Sequence, residues 1–162
     1  MAMEHLTADL TMAQETLAEC LDDHAKLFLA LHWAEISTTP DIPLNPDYAQ
    51  YERLEADGVL RCYILREQGV LQGYAVFMLT QSLKYQTLDA MCDLLYVAPR
   101  YRHGLIGGRF MGWCDEQLAK AGVQLVRHCV QRTYAYDATL HRLGYEPVPE
   151  QVVYLKRLGP ST

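Results

Sequence analysis

Apolar positions recur first at helical spacing. Leu17, Leu21, Phe28 and Leu31 fall on one face, and Glu15, Glu19, Asp22 and Asp23 sit mostly off it. Ahead of them, Thr11-Met12-Ala13-Gln14 fits a capping box, with Thr11 as N-cap and Gln14 at N3. The spacing predicts a helix over 12–34. Residues 37–46 cannot continue it, because three prolines remove backbone donors and fix φ. Asn45 before Pro46 reads as an N-cap and N1 pair, and Gly58 as a stop, which places a second helix over 46–57. The proline loop is either a stiff connection or a wall of a substrate entrance.

The pattern then turns to strands. Val59 to Arg66 is one, Glu67-Gln68-Gly69 a short turn, and Val70 to Leu79 the returning strand. Thr87 to Val97 is a third, more apolar strand, which Pro99 ends. Leu105 to Ala121 is an amphipathic helix that turns Ile106, Phe110, Trp113, Cys114 and Leu118 inward, with Gly122 closing it. Val123 to Val130 is a strand, Thr133 to Leu143 a short helix ended by Gly144, and Gln151 to Leu158 a last strand. The order is α-α-β-β-β-α-β-α-β. Strand 87–97, helix 105–121 and strand 123–130 are long enough for a parallel crossover, and the hairpin before them should be antiparallel. The expected fold class is α/β (α+β), a mixed sheet with helices packed on it.

Length and composition narrow this only slightly. A chain of 162 residues fits one domain, 1–162. Half its residues are hydrophobic and 21% charged, which excludes a disordered or collagen-like chain. Charge is unevenly spread. Residues 1–57 hold 12 Asp/Glu against 2 Lys/Arg, a charge of −10, and the remainder carries +4. One region should face cations and another anions, and binding to a nucleic-acid backbone is disfavoured. The five cysteines are widely spaced and none forms C-x-x-C, a pattern of free thiols in a reducing compartment. No apolar run approaches a membrane span, and Met1 to Leu10 lacks the basic and apolar regions of a signal peptide. A cytoplasmic protein is expected. His24 and His32 lack a third ligand, so no metal is expected.

The informative segment is Asp93-Leu94-Leu95-Tyr96-Val97-Ala98-Pro99-Arg100-Tyr101-Arg102-His103-Gly104-Leu105-Ile106-Gly107-Gly108-Arg109. A strand passes through a Gly/Arg-rich turn into a helix. Free backbone N–H groups and the helix dipole at such a start bind phosphate. Arg100, Arg102 and Arg109 add cationic charge. The spacing is neither a P-loop nor a clean G-x-G-x-x-G.

Tyr-Val-Ala-Pro-Arg-Tyr-Arg-His-Gly-Leu-Ile-Gly-Gly resembles the acetyl-CoA motif of the GNAT superfamily of N-acetyltransferases, in which a strand ending in Val-x-Pro leads through Arg/Gln-x-x-Gly-x-Gly/Ala into a helix. The element order agrees over nearly the whole chain, and Gly144-Tyr145 resembles the family's later Gly-Phe. Two positions depart. Leu105 stands at the first motif glycine while Gly107 matches the second, and Leu140 stands where a leaving-group tyrosine is frequent.

The resemblance implies a GNAT-like, mostly antiparallel central sheet and transfer of an acetyl group from acetyl-CoA to a primary amine, on a small polyamine-like molecule or a protein lysine or N-terminus. It implies that pantetheine bonds the backbone at Leu95, Tyr96 and Val97. The pyrophosphate would lie on Arg102, His103, Gly104, Leu105, Ile106 and Gly107, with Gly108 one residue off the motif. Asp93 is the expected general base. Tyr136, one turn before Leu140, or His141 beside it, is the expected acid. The acidic first third would line a cationic acceptor's side, and members of that family often dimerise. The Leu105 and Leu140 departures leave a second reading, a GNAT-fold protein with a binding or structural role, such as a virion-associated one.

Overall fold

The computed structural model describes residues 9–37, 39, 41–102, 105–130 and 136–148, and the backbone of 3–5. Among the described residues the centre is a six-stranded sheet in chain order: β1 (Met3–His5), β2 (Leu10–Gln14), β3 (Leu60–Glu67), β4 (Val70–Gln81), β5 (Leu88–Val97) and β6 (Leu125–Arg127). Every pairing is antiparallel except β5 with β6, which is parallel. A mixed, mostly antiparallel sheet flanked by helices is what the sequence led us to expect.

The β3–β4 hairpin turns through Gln68 and Gly69, with φ of 49° and 81°. Two consecutive positive φ values make the primed turn whose twist suits a hairpin. Helix α5 (Ile106–Lys120) buries Phe110, Trp113, Cys114 and Leu118 on the sheet face that carries Tyr63 and Phe77. Gly122, at φ 88°, follows its C-cap. The opposite face is covered by α1 (Leu17–Cys20), α2 (Asp23–Ile36) and α3 (Tyr48–Ala56).

The amino-terminal third corrects the sequence reading. Residues 10–14 form a strand, not the start of a helix, because Leu10 to Gln14 pair in register with Glu67 to Tyr63. Long-range pairing overrides a local capping signal here. The working capping box lies further on. The Thr16 side chain accepts from the Glu19 N–H, and the Glu19 carboxylate accepts from the Thr16 N–H at 2.7 Å. Asp22 then caps α2 by accepting from the Ala25 N–H at 2.7 Å. This fresh start resets the helical phase. Ala25, Phe28, Leu29 and His32 face the sheet, and Leu31 is 52% exposed. The second helix begins at Tyr48 with Asp47 as its cap, not Asn45. One turn of helix, α4 (Pro99–Arg102), stands between β5 and α5. Helix α6 (Asp137–Arg142) ends at Gly144 with φ 87°. The expected last strand, 151–158, lies outside the described residues.

Candidate active site

Strands β5 and β6 run together for three residues, Asp89 to Met91 against Leu125 to Arg127, and then part. From Cys92 to Val97, the β5 edge away from β4 has no strand partner among the described residues. The Ala98 N–H donates to the Gln72 carbonyl of β4 at 2.8 Å. Strand alternation therefore turns the backbone of Tyr96 toward β4 and that of Leu95 and Val97 toward the open edge. In accord, the Val97 carbonyl accepts from Arg102 Nε at 2.8 Å.

A β-bulge lies on this edge. Val76 pairs with Leu94 but Phe77 with Cys92, so Asp93 is the inserted residue. A bulge re-aims side chains. Consecutive residues Asp93 and Leu94 consequently line the same cleft, about 430 Å³ in volume, between the sheet and α1–α3. The Tyr51 hydroxyl donates to Asp93 Oδ2 at 3.5 Å. Burial, with the Asp93 charge behind it, raises the Tyr51 pKa. The proline loop does form a wall: Pro43, Leu44, Asn45 and Pro46 all line the cleft.

Tyr136 stands on the other face. Its hydroxyl is 3.3 Å from His128 Nδ1, and the His128 ring packs on Phe77, which faces α5. Its neighbours include the thiols of Cys92 and Cys129. Burial raises the Tyr136 pKa, so the phenol stays protonated at neutral pH.

Helix α5 opens at Leu105 with no side-chain cap, leaving the first-turn N–H groups of Ile106, Gly107 and Gly108 without a side-chain partner there. A Cβ on Gly107 would come within 3.1 Å of the Tyr101 carbonyl oxygen, so a side chain here would press the turn apart by a few tenths of an ångström. A groove of about 390 Å³ runs from Leu105, Gly108 and Arg109 to Thr139, Arg142 and Leu143 of the α6 region.

The expected residues thus fall at one place in part. Asp93, Leu95, Tyr96 and Val97 lie on the parting strand, and Leu105 to Gly108 open the helix beyond it. The Arg102 guanidinium is taken up by a carboxylate of the chain itself and does not point to the start of α5. It holds Glu35 of α2 with both nitrogens, at 2.5 and 2.8 Å, and lies over the Tyr96 ring. Arg100 likewise pairs with Glu67 at 2.7 Å. His141 is exposed on α6, and His103 and Gly104 lie outside the described residues. Tyr51 and His128, partners of the two candidate catalytic groups, carry no local motif. The Tyr51–Asp93 contact spans 42 residues and the His128–Tyr136 contact eight.

His32 is 3% exposed, bonded through Nδ1 to the Tyr74 hydroxyl at 2.5 Å and stacked on Tyr96. Burial pushes its pKa down to about 4. The unfolded chain takes up this proton near 6.5 and the folded chain only near 4, so acidification between the two favours unfolding. The stability held above pH 6.5 is expected to fall by about 3 kcal/mol toward pH 4 from this group alone. Thermal unfolding across that range should show a falling Tm, less steep in His32→Gln. Equal slopes would contradict it.

No family model matches the sequence, and no curated protein matches it. Solved structures do. An aminoglycoside acetyltransferase from an uncultured soil metagenomic sample, in complex with trehalose, matches with TM-score 0.70 at 14% identity, over 96% of this chain and 100% of that one. A ribosomal-protein-alanine N-acetyltransferase from Brucella melitensis biovar Abortus 2308 matches with TM-score 0.71 at 16% identity, over 93% and 99%. A predicted acetyltransferase from Clostridium acetobutylicum, solved with acetyl-CoA, matches with TM-score 0.64 at 11% identity, over 90% and 96%. These likenesses establish the fold. The chain has the fold of the GNAT-superfamily acetyltransferases, as its sequence resemblance implied.

Proposed function

We propose that the protein is an N-acetyltransferase that moves the acetyl group of acetyl-CoA onto a primary amine. The observation that carries this reading is the meeting, where β5 and β6 part, of a backbone edge that has no strand partner among the described residues with a carboxylate on one face of the sheet and a phenol on the other. The donor set suits the co-substrate. Leu95 offers its carbonyl and Val97 its N–H to an amide-bearing arm, and the uncapped start of α5 offers N–H groups to phosphates. Acetyl-CoA supplies an acyl group activated as a thioester. Asp93 takes the proton that the amine nitrogen sheds as the C–N bond forms. The Leu95 N–H polarises the carbonyl. Tyr136 gives its proton to the sulfur as the C–S bond breaks. Its raised pKa keeps that proton available, and burial holds His128, its partner, neutral above about 4. Arg102 is a positioning residue that ties the end of β5 to α2. Five free thiols support a reducing, cytoplasmic setting. Among the described residues, no helix is long and apolar enough to cross a membrane.

The test is release of free CoA from acetyl-CoA across a panel of amines, beside calorimetric titration with CoA. Release above background with at least one amine and micromolar binding are expected. Neither would leave the non-catalytic, binding role standing in its place. Within this reading, Tyr136→Phe should lower kcat by about 10²-fold, within the usual range for a lost proton donor, with KM for acetyl-CoA little changed. An unaltered kcat would remove Tyr136 from the chemistry.

A further inference from the structure

We infer that the acceptor is a small arylalkyl primary amine, one positive charge on an aromatic body, rather than a polycation. The inference rests on the acetyl-transfer reading and names the substrate of that site. Residues 1–57 carry most of the chain's acid, which by itself suggests a polycationic partner. The fold uses that acid elsewhere. Glu15 pairs with Arg66 at 2.6 Å, and Glu35 with Arg102. Glu55 accepts from the Leu17 N–H, and Glu19, Asp22 and Asp47 cap helices.

What remains at the cleft is a single charge. Among the described residues that line it, Asp93 is the sole carboxylate and there is no Lys or Arg. Apart from Asn45 and His32, the other walls are apolar or aromatic, with Trp33, Tyr48, Tyr51 and Tyr74 among them. His32, the one ionisable nitrogen among the described lining residues, is packed against Tyr74 and Tyr96 and adds no charge at neutral pH. A first ammonium group would meet Asp93. A second would have to leave water for leucine and aromatic walls without a counter-charge, which is strongly unfavourable. An aromatic ring would instead bury its faces against rings and branched side chains. The volume, about 430 Å³, suits a small molecule.

The experiment compares 2-phenylethylamine, tryptamine, butylamine and spermidine as acceptors, with acetyl-CoA and the full chain. The two aromatic amines are expected to exceed spermidine in kcat/KM by about 30-fold or more, as differential burial in an apolar pocket allows. Their rates should change less than about two-fold between roughly 50 and 500 mM NaCl, because a single close pair is weakly screened. Leu44 lies at the rim, 36% exposed, so Leu44→Glu should fold and should narrow the preference by about ten-fold through the added charge. Spermidine as the best acceptor, or a preference that salt erases, would overturn the inference while leaving acetyl transfer intact. If no amine is acetylated, the transfer reading falls. Calorimetry with the same amines then decides the cleft: tighter binding of 2-phenylethylamine than of spermidine sustains the inference, and the reverse overturns it.

Discussion

Asp93→Asn is expected to lower kcat by about 10²–10³-fold at neutral pH, with a loss that shrinks as pH rises. The substitution keeps the shape of the side chain and a hydrogen-bonding partner for Tyr51 while removing the only carboxylate among the described residues of the cleft. Asp93 is exposed, so folding should be spared. With the carboxylate present, a bound ammonium ion can shed its proton inside the site, and the rate is nearly level with pH. Without it, only amine already neutral in solution reacts. That fraction grows about ten-fold per pH unit below the amine's own pKa, near 10 for an alkylamine. The variant's profile should climb accordingly and approach the wild type at high pH. Parallel profiles would show that Asp93 is not the base, whatever the size of the loss.

The bulge that brings Asp93 to the cleft could not be read from residues 87–97. Their alternation predicts a strand, but it gives Asp93 and Leu94 opposite faces. Only the register against Val76 and Phe77 places both on one side. The Tyr51–Asp93 contact spans 42 residues and the Arg102–Glu35 pair 67, and no local pattern signals either. Strand β2 carries no local signal for the same reason, since Leu10 to Gln14 extend only because Tyr63 to Glu67 lie beside them. What the sequence did carry was local chemistry. The Gln68-Gly69 turn, the buried stripe of α5 and the stops at Gly122 and Gly144 are each decided within a few residues, and each is observed. The charge split was legible as a sum and misleading as a map. Most of those carboxylates serve caps and ion pairs, which composition cannot reveal.

Gly108→Glu should separate folding from co-substrate binding at the start of α5. Gly108 is the third helical residue after Leu105, which provides no side-chain cap. A Cβ there meets only the Thr139 Cγ2 at 3.6 Å, an ordinary contact. Replacing glycine inside a helix favours the folded state by about 0.5–1 kcal/mol, and a carboxylate in the first turn adds about 0.3–1 kcal/mol through the helix dipole. The melting temperature should therefore hold or rise by a few degrees. The same carboxylate would occupy the groove beside Leu105 and Arg109 and present negative charge to the pyrophosphate. Affinity for CoA is expected to fall by about 10²-fold or more, equivalent to roughly 2.7 kcal/mol. Calorimetry and thermal unfolding on one preparation read both quantities. A stable variant that binds CoA as the wild type does would move the phosphate site away from α5, and with it the acetyl-CoA reading of the glycine-rich turn. Loss of stability and binding together would instead mean that Gly108 is needed for packing against α6, a role its 3.6 Å clearance from Thr139 argues against.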